Sequence, residues 1–350
     1  MTFAILTGLF VGLAFGFVLQ RGRFCMNSAF RDIITLKDFT LTKTVALALL
    51  VSMLGFGIMA ATGAIDPNPK PILWAGNLVG SFIFGIGMVV AGGCASGVTY
   101  RVGEGMVGAM SAVVGLTLAA MATATGFLKP VKEWLQTAKT PAEAPNATIA
   151  SILGLNYAVV AIVLAVVLGG VWWYFARKNA TEGGYKANEG ASLFDRIFKI
   201  GWGWLPTGVG IALVGMAAFP LSAEAGRNYP LGITSGWLKI GQMTQPSVPF
   251  DDSLKWDMWL IVGIVVGAAI AAFIAKELKL RVPPARMLVQ AFVGGALMGF
   301  GAVCSTGCNI GHILSGVPQL SIGSILAGIA IILGAWLAAY VMFVRPMAAE

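Results

Sequence analysis

Polar residues are sparse along this chain, and apolar ones gather in runs of about twenty with almost no charge inside. The runs fall at about 3–19, 43–62, 73–92, 106–128, 151–176, 205–220, 257–275, 287–303 and 321–343. A helix rises about 1.5 Å per residue, so about twenty residues cross the roughly 30 Å hydrocarbon layer of a bilayer, the length these runs approach or exceed. The pattern predicts an all-α polytopic membrane protein with about nine transmembrane helices. The first run has no basic residue before it and no small-residue cleavage site, and it reads as a retained span rather than a signal peptide.

Four segments between runs are neither long nor polar enough for ordinary loops. They are Arg21–Arg31 after span 1, Gly92–Gly105 after span 3, Tyr229–Trp237 after span 6 and Cys304–His312 after span 8. Each is expected to be a broken or re-entrant helix, which membrane depth tolerates only where protein or a water-filled cavity surrounds the backbone. By contrast, 129–146 and 177–199 carry mixed charge, Pro and Gly, and read as solvated connectors around span 5.

Two of the breaks share their punctuation at a fixed offset. Gly85, Gly87, Gly93, Cys94 and Gly97 match Gly299, Gly301, Gly307, Cys308 and Gly311 in spacing. A repeat of this kind predicts two related halves, 1–128 (spans 1–4) and 205–350 (spans 6–9), joined by a connector, 129–204, that contains span 5. One connecting span inverts the second half relative to the first, the arrangement of transporters whose broken helices meet at the repeat interface. If the 177–204 loop is cytoplasmic, 16 of the 23 Lys and Arg residues lie on that side, which predicts an outside N-terminus and a cytoplasmic C-terminus.

Composition sharpens the picture. Hydrophobic residues make up 57% and charged ones 11% of the 350 residues, where a soluble domain averages about a quarter charged. The net charge of +8 comes largely from residues flanking spans, so it reads as topology signal and lipid-headgroup contact, with some left to attract an anion, and not as nucleic-acid binding. No phosphate-binding loop of the Lys-Ser/Thr type suggests nucleotide hydrolysis, and no cofactor is implied. Cys304, Cys308 and the single histidine, His312, are spaced four apart, but Gly307 and Gly311 argue against one regular helix presenting all three to a metal.

The candidate chemistry is therefore in the thiols. Cys94 and Cys308 hold equivalent repeat positions between glycines that let backbone approach a ligand closely, and Cys25 lies in the same kind of break. Half-helix starts present free N–H groups and partial positive charge, which favour anions. A neutral thiol adds a soft, weak donor, so the expected cargo is a small sulfur-containing anion passing Cys25, Cys94, Cys308 and Cys304. Asn27, Ser28, Ser96, Thr234 and Asn309 offer stronger donors in the same breaks, and Arg23, Arg101, Glu104 and His312 stand beside them, with an Arg101–Glu104 pair expected to hold one break in place.

With these motifs in hand, the chain resembles the YeeE/YedE family of sulfur-transport membrane proteins. The resemblance rests on Gly22-Arg23-Phe24-Cys25, Gly93-Cys94-Ala95-Ser96-Gly97 with Tyr100-Arg101-Val102-Gly103-Glu104-Gly105, Gly232-Ile233-Thr234-Ser235-Gly236, and Gly307-Cys308-Asn309-Ile310-Gly311-His312 followed by Ser315-Gly316. It implies an hourglass-shaped inverted repeat in the bacterial inner membrane, importing thiosulfate by a hydrogen-bond relay over Cys25, Cys94 and Cys308. It also implies a cytoplasmic partner of the TusA-like sulfur-carrier kind. Transport of a selenium or other sulfur compound, or a sulfurtransferase carrying a cysteine persulfide, are the alternatives.

Overall fold

The computed structural model describes residues 2–137, 146–178, 192–245 and 255–347. Among them, nine helical stretches are long and apolar enough to cross a membrane, in the order the hydrophobic runs predict. The principal helices are α1 (Thr2–Arg21), α2 (Met26–Thr35), α3 (Thr40–Ala61), α4 (Ser81–Val90), α5 (Ala95–Gly103) and α6 (Val107–Ala124). After them come α7 (Lys129–Thr137), α8 (Ile149–Ile152), α9 (Tyr157–Lys178), α10 (Trp204–Glu224) and α11 (Thr234–Gln242). The last four are α12 (Trp256–Ile274), α13 (Ala285–Cys304), the wide π-type turn helix α14 (Ile310–Gly316) and α15 (Ile322–Ala339).

Lipid tails are as apolar as leucine, so these helices are held together by close packing rather than by a hydrophobic drive, and small residues set the approach. α1 lies along α12 in the same direction. A Cβ added to Gly8 would fall 2.8 Å from the Trp256 carbonyl oxygen, one on Gly12 2.8 Å from Gly263 Cα, and one on Gly16 2.8 Å from Ile264 Cα. α6 and α13 run parallel in the same manner, with Gly295 seated on Ala112 and Gly299 on Leu116 and Ala120. So do α4 with α15, through Gly85 and Gly334, and α3 with α10, through Gly208 and Gly55. Each of these pairs joins a helix before residue 128 to one after residue 204. α9 packs chiefly on α3, and Val159, Val163, Val166, Val167 and Val171 are exposed along it, as an outlying lipid-facing span requires.

The four breaks are helix interruptions, as expected. α1 stops at Arg21 and α2 starts at Met26; α4 stops at Val90 and α5 starts at Ala95; α10 gives way to α11, and α13 to α14. One expectation needs correction: the start of the 129–146 stretch is not a loop but α7, whose Gln136 side chain donates to the carbonyl oxygens of Val303 (3.2 Å) and Cys304 (3.0 Å). Those carbonyls end α13, where Val303 accepts only a long bond from Thr306 N (3.4 Å), and the amide caps them. Most of 177–199 lies outside the described residues.

Candidate functional site

In each break one residue's carbonyl accepts the first bond of the short helix that follows, and three of those four residues are cysteines. Cys25 precedes α2 and Cys94 precedes α5, both with extended backbone (φ −141° and −77°). Their carbonyls accept the first helical bonds, from Ala29 N (3.1 Å) and Val98 N (2.8 Å). Cys308 does the same for the last break, accepting from His312 N at 2.8 Å, and the fourth position, before α11, is Ile233. Two residues ahead of each cysteine the chain turns through the left-handed region, at Arg23 (φ 44°), Gly92 (φ 69°) and Thr306 (φ 66°). That turn reverses the chain within four or five residues, which is why the thiols sit inside the protein and not at its ends.

All three thiols are buried. The Cys25 Sγ donates to the Cys94 Sγ at 3.7 Å; the Cys94 Sγ also lies 3.4 Å from Ser96 Oγ and accepts from Gly97 N at 3.3 Å. Gly97 is obligatory here, since a Cβ on it would come within 2.7 Å of the Cys25 sulfur. Cys308 reaches the pair through its neighbour: the Asn309 amide donates to the Met26 sulfur at 3.4 Å, and Met26 follows Cys25. Cys25, Met26, Cys94, Cys308 and Ile310 belong to one buried cluster.

Two cavities flank this cluster. The first, about 350 Å³, is lined by Cys308, Thr234, Thr306, Lys70, Arg227 and Asp257 among others. The second, about 340 Å³, is lined by Gly92, Val98, Arg101, Arg281 and Gln290 among others. The first takes Ala302 and Val303 from the last turn of α13, whereas the second takes Met287, Gln290 and Ala291 from its first two turns. Twenty helical residues span about 30 Å, so the cavities lie at opposite ends of the molecule. Cys25 and Cys94 line neither.

A recurring construction links charge to these breaks. The glycine ahead of each of three break positions leaves room for a basic side chain to lie across it. Lys70 Nζ lies over Gly307, Arg101 Nη1 comes within 3.1 Å of a Cβ built on Gly93, and Arg227 Nη2 within 2.7 Å of one on Gly232. Lys70 donates to the Thr306 carbonyl and stands 5.1 Å from the centre of the Tyr229 ring; Arg227 is ion-paired with Asp257. Lys70, Arg227, Asp257 and Tyr229 are site residues that sequence reasoning passed over. Lys70 sits in Asp66-Pro67-Asn68-Pro69-Lys70-Pro71, and the prolines that fix its path were the available signal.

The remaining predicted residues divide. Asn27 and Asn309 are buried beside the thiols, and among the described residues the Asn27 amide and the Asn309 Oδ1 have no hydrogen-bond partner. Thr234 Oγ1, buried at the first cavity, is likewise unpartnered. Ser28 is partly exposed on α2. His312 uses both ring nitrogens structurally, on the Ser305 carbonyl (2.9 Å) and Ser324 Oγ (3.3 Å). Arg23 is exposed and pairs with Glu277 at 2.7 Å. Arg101 and Glu104 do not bond each other: Arg101 donates to the Gly92 carbonyl at 2.9 Å, and Glu104 accepts from Gln20 at 3.1 Å. A carbonyl left open by the break outcompetes a carboxylate that α1 already satisfies. Cys304 ends α13 and packs against Gly80, and it lines neither cavity.

Comparison with known proteins agrees with this reading. A thiosulfate transporter named TsuA from Spirochaeta thermophila is 42% identical over 97% of this chain and 100% of its own length. The TsuA thiosulfate transporter of Escherichia coli is 32% identical over 98% of this chain and 96% of its own. A shorter match, 37% over 27% of this chain and 23% of the relative, is to the probable transporter YedE of Escherichia coli. The profile described as sulphur transport matches residues 21–337, from the first break to the last span, and the chain belongs to that family of membrane transporters.

Proposed function

We propose that this protein imports thiosulfate across the bacterial inner membrane. The observation that carries the reading is the Cys25–Cys94 thiol contact of 3.7 Å, set between two cavities, one of which exposes Cys308. Thiosulfate has two unlike ends, a trioxygenated sulfur that wants strong donors and a terminal sulfur that suits a soft one. The first cavity offers Lys70 and the Thr234 and Thr306 hydroxyls to the oxygens, and the Cys308 S–H to the sulfur. The anion then passes from Cys308 to the Cys94–Cys25 pair by exchanging weak S–H hydrogen bonds, none strong enough to trap it. Asn27, whose side-chain amide has no partner among the described residues, supplies a stronger donor beside the thiols, and the Asn309 amide, which lies on the Met26 sulfur, a second.

The first cavity is the entrance, on the outer face with the N-terminus, and the C-terminus is cytoplasmic. The halves 1–128 and 205–350 act as inverted repeats about the path, and a small sulfur carrier of the TusA kind receives the cargo inside. Labelled thiosulfate uptake into proteoliposomes holding the purified protein tests the reading. Uptake that survives in Cys94→Ala and Cys308→Ala alike overturns it.

A further inference from the structure

We propose that the second cavity is a separate binding site for a free tetrahedral dianion of the sulfate class, reached from the face opposite Cys308. It repeats the construction of the first cavity with more positive charge. Arg101 lies across Gly93, as Lys70 lies across Gly307, and is pinned there by its bond to the Gly92 carbonyl. Arg281 joins it from the segment before α13. In the first cavity Asp257 neutralises Arg227, whereas no residue lining the second is acidic, and neither Arg101 nor Arg281 takes part in an ion pair among the described residues. Glu104 lies outside the lining, bonds Gln20 and acts on Arg101 and Arg281 through its charge alone, while Glu277 is engaged by Arg21, Arg23 and Gln20. Gln290 donates its amide to the Val90 carbonyl at 3.1 Å, which fixes the wall between the two arginines' cavity and α4.

Two guanidiniums facing one cavity without a carboxylate repel each other, and a dianion relieves that repulsion while presenting oxygens to their fork-shaped donors. No cysteine lines this cavity, so it has no soft donor and does not favour a terminal sulfur over an oxygen. Sulfate and thiosulfate therefore compete there on nearly equal terms, unlike at the entrance. The site stands without transport; its role as the exit station rests on the proposed function. Sulfate on the exit side then occupies the station and slows thiosulfate release.

The test separates the two. Labelled sulfate is titrated onto the purified, detergent-solubilised full chain, with no transport required. Saturable binding that persists in Lys70→Met, weakens about tenfold or more in Arg281→Gln and returns in Arg281→Lys is the expected result. In proteoliposomes, sulfate enclosed on the exit side lowers thiosulfate uptake by the parent protein, and the fractional inhibition is smaller in Arg281→Gln, each protein compared with its own sulfate-free rate. Absent sulfate binding, binding lost in Lys70→Met but kept in Arg281→Gln, or sulfate displaced wholly by phosphatidylglycerol vesicles, which marks a lipid headgroup as the occupant, overturns the proposal. Binding without any thiosulfate uptake leaves the site standing and sinks the transport reading alone.

Discussion

At the scale of single residues, four cysteines of one chemical kind have two different surroundings. Cys25, Cys94 and Cys308 each start a short helix in the buried centre, while Cys304 closes α13 against Gly80. On the proposed path, removing a thiol leaves the passing anion short of one buried donor, a loss of about 1–3 kcal/mol, so Cys94→Ala is expected to cut the uptake rate about tenfold or more. Cys304→Ala is expected to leave it within about twofold in the same vesicle assay, and equal losses would show that the contact with Cys25 does not set Cys94 apart. Lys70 makes a second case. Burial pushes its ammonium down to about 8, helped by Arg227 and opposed by Asp257. The cation is present below that pH and lost above it, so uptake falls as pH at the first cavity rises through about 8, and Lys70→Arg flattens the fall. The cysteines were legible because glycines bracket them at a repeated spacing. Lys70 was not, because a lysine among prolines in a linker looks like any solvated loop until the fold lays it over Gly307.

At the scale of elements, the helices pack backbone to backbone through glycine, and the cost of a methyl group depends on what faces it. On Gly16 a Cβ would meet the Ile264 backbone, and on Gly295 that of Ala112, neither of which can yield without moving a helix. Gly169 and Gly170 on α9 face open space. Gly16→Ala and Gly295→Ala are therefore expected to destabilise by about 1–3 kcal/mol, read as a lower thermal midpoint of the purified protein. Gly169→Ala is neutral or raises the midpoint, since alanine is the better helix former by up to about 1 kcal/mol; a drop as large as that of Gly16→Ala would refute the packing argument. The spans and the four breaks could be read from the chain because hydrocarbon thickness fixes helix length and glycine with small polar residues marks where helix cannot continue. α7 could not, since its Lys129, Lys132 and Glu133 resemble a solvated linker and only docking on the open end of α13 gives it a place. The Arg101–Glu104 expectation failed for a related reason: sequence spacing shows which side chains are near, not which open carbonyl the chain reversal creates.

At the scale of the whole molecule, transport requires that the two cavities never join freely, and the proposed path has its closure at the buried Cys25–Cys94 pair, which lines neither cavity. Cys308 lines one cavity, whereas Cys25 and Cys94 line neither, and Gly97 keeps the pair too close for anything but a thiol contact. The ends of the barrier are tied to the frame. Arg21, 1% exposed, binds Glu277 at 2.6 Å and the Lys199 carbonyl at 2.9 Å, joining α1, the end of α12 and the connector next to the first break. Removing that carboxylate would leave a buried guanidinium unpaired, at a cost of about 3–5 kcal/mol. Burial alone would raise the Glu277 carboxyl, but bonds from Gln20 and Arg23 and the charges of Arg21 and Arg23 outweigh it and hold it lower. Its stabilising share is thus present above the ordinary glutamate range and fades as pH falls through the lowered value. A barrier held this way makes a sided prediction. In variants keeping one cysteine each, a small charged methanethiosulfonate added at the first cavity is expected to modify Cys308 quickly and Cys25 and Cys94 at least about a hundredfold more slowly, a ratio that corresponds to ~2.7 kcal/mol of difference in access. Comparable rates at Cys308 and Cys94 from that face would mean that the cavity continues past the thiol pair, and a relay would then have nothing to relay across.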